Sequence, residues 1–192
     1  MDQQTQSLQA RTDAKLRYAK VHLDELAALP SLGGDDFDRA HQESFLFHLY
    51  GARDAFLIEL NHYYDLGLPI ENLSPGKLRD ALKQRGIQSP ELSTLFTLEQ
   101  DDSSWYRQTK DMRDHSAHIQ GVPRAFFVGG DDDGSVKLRN PRTGVLTDGH
   151  FLDEFHEWFE QMRDLMKKLR ELASASMGSN TTLQGPPSSG RP

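Results

Sequence analysis

The sequence predicts an all-α fold, a multi-helix bundle with a small β-hairpin inserted before a long last helix. Three observations carry this expectation. Apolar residues recur at helical spacing through most of the 192 residues. Two Ser-Pro pairs mark helix starts, and strand-like sequence is confined to one short stretch around an acidic, glycine-rich turn.

Leu8, Leu16, Ala19, Leu23 and Leu26 place an apolar stripe on a first helix over about residues 5–28, ended by Pro30 and Gly33-Gly34. Asp35 or Asp36 can cap a second helix running to about Asp65, before Gly67 and Pro69. Its middle, Phe45 to Leu60, is apolar on almost every side, which predicts the most buried helix of the fold. Ser74-Pro75 and Ser89-Pro90 set a capping hydroxyl before a first-turn proline and predict short helices at about 75–85 and 90–99. Another helix covers about 102–119, stopped by Gly121 and Pro123. Ala125-Phe126-Phe127-Val128 and Ser135-Val136-Lys137-Leu138 flank Gly129 to Gly134 and predict a hairpin within about 124–140. In the last helix, Phe151, Phe155, Trp158, Met162, Leu165, Leu169 and Leu172 advance in steps of four and three, widened by Leu152, Phe159 and Met166. A helical domain over 1–175 follows. From 176 to 192 the residues are mainly Ser, Gly, Asn, Thr and Pro, the composition of a disordered tail.

Composition bounds the function. A balance of 22 lysines and arginines against 29 acidic residues, net charge -7, argues against a surface that grips duplex DNA through many phosphates. With no cysteine, thiol catalysis, zinc ribbons and disulfides are excluded. The polar opening Met1-Asp2-Gln3-Gln4-Thr5-Gln6 lacks the layout of a secretory signal, and no apolar run is long enough for a bilayer. The expectation is a soluble cytoplasmic protein that does not act at a membrane.

The chemistry concentrates in Arg113-Asp114-His115-Ser116-Ala117-His118, late in a helix. An arginine offers a permanent cation for a phosphate and a histidine a base that titrates near neutral pH. This segment resembles the R-x(4-6)-H motif of the HEPN superfamily, small helical bundles many of which are RNases of toxin-antitoxin, CRISPR and phage-defence systems. The polar Asp114 directly after the arginine, the late position in the helix and the domain size fit the resemblance. It implies a metal-independent endoribonuclease of toxin or phage-defence type that needs no cofactor. His118 would move the proton of the ribose 2′-hydroxyl or of the leaving oxygen, and Arg113 would stabilise charge on the phosphate. RNA, transfer RNA included, would be the substrate. A homodimer would bring two motifs together, and a protein regulator or antitoxin would be a further partner. Asp114 and His115 would orient the pair or touch substrate, and Trp105 and Tyr106 could stack a base or pack in the core. Toxins paired with a nucleotidyltransferase carry a tyrosine two residues after the histidine, where this chain has Gln120. On an ideal helix Arg113 and His118 are roughly 140° apart, so they converge only where the helix ends or distorts.

Other readings use the same residues. Asp111, His115 and His118 could line one helical face, and His48 could complete a metal site; Glu59 with His62, and Asp153 with His156, resemble parts of di-iron sites. The stripe of His41, His48 and His62 could instead face a neighbouring helix, with His48, Arg53, Asp54 and Glu59 satisfied as buried partners. Lys167, Lys168 and Arg170 suit the dipole at the end of the last helix. The alternative to an enzyme is a non-catalytic HEPN-like module that dimerises or docks through the apolar face of the last helix and the hairpin.

Overall fold

The computed structural model describes residues 2–29, 36–119, 121–130 and 134–180, with backbone alone for 177–180. Pro30, Gly33, Gly34, Asp35 and Gln120 lie outside the described residues, as do 181–192 of the tail. The chain forms α1 (Gln3–Ala28), α2 (Asp36–Tyr63), a 3-10 turn (Ile70–Asn72), α3 (Pro75–Gln84), α4 (Pro90–Gln100), α5 (Trp105–His118), β1 (Arg124–Phe126), β2 (Val136–Leu138) and α6 (Phe151–Asn180). It is a helical bundle with a hairpin before the last helix, and no helix of the described residues is long and apolar enough to cross a membrane.

Local chemistry sets the helix ends. Asp2 caps α1 by accepting from the Thr5 backbone N–H at 2.8 Å. Ser74 and Ser89 cap α3 and α4, each with proline in the first turn. Past α3, Gly86 adopts φ 69°, the left-handed conformation that lets its own N–H reach the Lys83 carbonyl at 3.1 Å and the Ile87 N–H reach Leu82 at 3.0 Å.

α2 is the central helix, as its sequence predicts. Phe45, Leu46, Leu49, Ala52, Phe56, Leu57 and Leu60 are each at most 1% exposed. α1 folds back along it, with His22 meeting His41 and Lys15 lying against Gly51. α6 runs alongside α2 in the same direction: Phe155 stacks on Phe45 with centroids 4.6 Å apart, and Arg170 binds Glu59 farther along. The apolar stripe of α6 is consumed here, since Phe151, Phe155, Trp158, Met162 and Leu169 are all buried. The face that the sequence offers for docking is therefore core. α6 also runs on to Asn180, past the point where composition turns polar, and Ser174 and Ser176 donate back to the carbonyls of Arg170 and Leu172 at 2.9 and 3.0 Å. Arg170 does not simply face the helix end: it donates to Glu59, Asp13 and the Gln9 carbonyl and ties three helices.

The strands pair antiparallel with Arg124 opposite Leu138 and Phe126 opposite Val136. Val136 and Leu138 are buried and β2 packs against α6, while Phe126 and Val128 stay exposed.

Candidate functional site

α5 begins at the Ser104 cap, whose hydroxyl accepts from the Arg107 N–H at 3.0 Å, and packs antiparallel to α2. Tyr106 is fully buried in the seam, which places it in the core and not on a surface where a base could stack. Its hydroxyl accepts from Arg53 Nε at 3.0 Å, and Arg53 also donates to the Tyr50 hydroxyl at 2.6 Å and to Asp54 at 2.7 Å. Burial pushes the Tyr50 and Tyr106 phenols up, so both remain protonated donors. Trp105, half-buried, sits edge-on to Tyr106 at 5.6 Å.

Arg113 lies two turns farther along α5 than Tyr106. Its guanidinium donates to Asp114 at 2.7 Å, approaches Asp54 at 3.8 Å and lies over the Tyr50 ring at 5.3 Å. Asp114 also accepts from Lys110 at 2.9 Å. Burial opposes ionisation of Asp114, but these hydrogen bonds from Lys110 and Arg113 outweigh it and hold the carboxyl below its ordinary value. Arg113 therefore carries charge that is already neutralised on the protein side. It borders a shallow cleft with Glu43, Ser44, Phe47, Ser116 and Ala117, and His118 is not part of that lining.

α5 does not break before His118. The Ile119 N–H still donates to the His115 carbonyl at 2.9 Å, and the backbone leaves helical geometry only at Ile119. Arg113 and His118 thus stay roughly 140° apart around the axis. His118 is exposed and His115 half-buried. Within one chain the structure joins Arg113 to Asp114 and leaves His118 separate.

The metal-ligand combinations are dispersed. Asp111 is held by Arg107 at 3.0 Å and Arg142 at 3.1 Å, fastening α5 to the segment after the hairpin. Glu59 is bound to Arg170, and His62 lies 3.6 Å from Asp2. Asp153 is exposed on the opposite side of α6 from its buried stripe. Among the described residues no group of three or more His, Asp or Glu side chains is placed to hold a metal ion.

His48 leads to a feature that no single helix reveals. It faces α1, and its Nδ1 is buried without a hydrogen-bond partner, unlike Arg53, Asp54 and Glu59. It lies 5.2 Å from Phe47, 5.3 Å from Tyr18 and 5.6 Å from His22, which stacks on it nearly parallel. His22 continues to His41 at 5.1 Å, and His41 to Phe37 at 4.4 Å. These rings form an unbroken strip along the outer seam of α1 and α2. Tyr18, Phe37 and Phe47 are 51%, 53% and 54% exposed, too much for core and unusual for clustered aromatics. The i, i+4 spacing of Tyr18 with His22 and of Phe37 with His41 is the sequence signal for this strip.

Burial lowers the proton affinity of His22, with His41 adding to the effect and Glu25 opposing it; His48 is lowered by burial, then by Lys15 and His22. In the unfolded chain both titrate near pH 6.5, so below that pH the unfolded state binds more protons than the native one. Stability therefore falls as pH drops from 7.5 toward 5.5. Thermal melts should show a larger loss for the native sequence than for a His22→Phe/His48→Phe variant, and equal losses would remove the histidines from the effect.

Compared with family models, curated proteins and solved structures, the chain matches none.

Proposed function

We propose that this protein is a non-catalytic, HEPN-like helical module that pairs with a second copy of itself through the ring strip of α1 and α2. The observation that carries this reading is the continuity and exposure of the strip. Aromatic side chains supply large apolar contact area with few rotors to freeze, which suits an interface centre. The net charge of -7 makes copies repel over most of their surface; Glu25 lies close to His22 and Glu43 shares a cleft with Phe47, but the strip itself is built of rings. The cation beside them, Lys15, lies 5.0 Å above Phe47. A two-fold pairing lays the strip against itself and requires no second kind of surface. Sedimentation velocity over a concentration series tests it: a reversible dimer is expected, and a monomer at every concentration overturns the reading.

The metal-independent endoribonuclease is the second reading, favoured by the motif's place at an exposed helix end, with Arg113 at the edge of a cleft. Because Arg113 and His118 diverge on α5, a working site would combine the motifs of two copies. Incubation with total and transfer RNA in EDTA separates the readings. The ribonuclease should leave 2′,3′-cyclic phosphate ends and lose on the order of 100-fold or more in rate with Arg113→Ala or His118→Ala. No cleavage, or cleavage unchanged in both variants, removes it.

A further inference from the structure

We infer that His22 and His41 form a two-imidazole chelate for a divalent transition-metal ion of the zinc or copper class, with the remaining coordination positions open to solvent. Their Nδ1 atoms, carried by different helices, are 3.2 Å apart. Two nitrogens bound tetrahedrally at Zn–N distances of about 2.0–2.1 Å would be separated by roughly 3.3 Å, so an ion fits between them with a shift of about a tenth of an ångström. Without an ion, one ring must donate a hydrogen to the other across the same gap.

The rings are held in place before any ion arrives. His41 is tilted against Phe37 at 4.4 Å, and His22 stacks on His48 with only 6° between the planes. That parallel stack keeps the His48 nitrogens from aiming at the ion that His22 would bind, so His48 is a positioning residue. Among the described residues no third imidazole or carboxylate converges on the pair. The chelate would therefore take a borderline ion that accepts imidazole nitrogen, not a hard ion that needs many oxygens. The net charge of -7 raises the local concentration of cations. A second copy seated on the strip would cover these open positions, so the site is that of the unpaired chain.

Titration of the full chain with Cu²⁺ at pH 7.5, followed by calorimetry and electron paramagnetic resonance, reads the site. The expected result is one ion per chain with splitting from two imidazole nitrogens, and affinity at least 10-fold weaker in His22→Asn and in His41→Phe, which keeps the contact with Phe37. His48→Ala, which removes the stack, should weaken binding by more than about 3-fold and His48→Phe should restore it, while His118→Ala and His156→Ala should leave binding unchanged. Should the His22 or His41 variants fail to fold, Zn²⁺ added to the unaltered protein should still shift the ring ¹⁵N resonances of both histidines. Binding that survives loss of either ligand, a signal that follows His118 or His156, or unshifted ring resonances would overturn the site.

Discussion

Arg53→Ala should be the most damaging single substitution in the region of the motif, lowering stability by about 3–5 kcal/mol, the sum expected for two buried hydroxyls losing their partner and a large side chain leaving a void. Arg53 has its side chain 9% exposed and serves the Tyr106 hydroxyl, the Tyr50 hydroxyl and Asp54 at once. Truncation leaves the two buried hydroxyls without that partner and opens a void between α2 and α5. For a chain of this size the loss corresponds to a melting temperature lower by on the order of 10 °C. Arg113→Ala provides the contrast. Its side chain is 27% exposed and its carboxylate partners reach water, so its loss should cost under about 1 kcal/mol. Equal melting temperatures for the two variants would show that the knot does not hold α5 in place.

The second large effect concerns association. Combining Tyr18→Glu with Phe47→Glu should weaken self-association on the order of 100-fold or more, because each change replaces an aromatic anchor with a carboxylate that the pairing must desolvate. The isolated chain should tolerate both changes. Tyr18 and Phe47 are about half exposed, so their replacement opens no cavity, and the melting temperature should stay within a few degrees of the native value. A variant that dimerises as before would place the interface elsewhere, for instance around the exposed Phe126 and Val128 of the hairpin.

Much of the architecture was legible because it is written locally. Ser74-Pro75 and Ser89-Pro90 state their own caps, and the steps from Phe151 to Leu169 define one face of α6 with no knowledge of its partner. The end of α6 was less legible, since Ser176 reads as tail by composition but satisfies its hydroxyl on the preceding turn. The site was read from spacing, and spacing does not report competition for a side chain. Arg113 and His118 look like a pair in sequence, yet Asp54, from another helix, joins Asp114 in holding Arg113 while α5 stays regular through His118. His41 and His48 were visible as a polar stripe. Their partners Tyr18 and His22 come from α1, and only the reverse pairing of the two helices brings all the rings into one strip.

The measurement that bears most directly on the self-association reading uses the absence of cysteine from the chain. Ser44→Cys places a single spin label on the outer side of α2, beside Phe47, and Thr97→Cys places one on the exposed side of α4. Double electron–electron resonance on each protein reads the distance between labels on two copies. The account predicts a short, well-defined distance from position 44, a longer one from position 97, and loss of the first when Tyr18→Glu and Phe47→Glu are added. No dipolar signal at position 44, or a shorter distance at position 97, would contradict it.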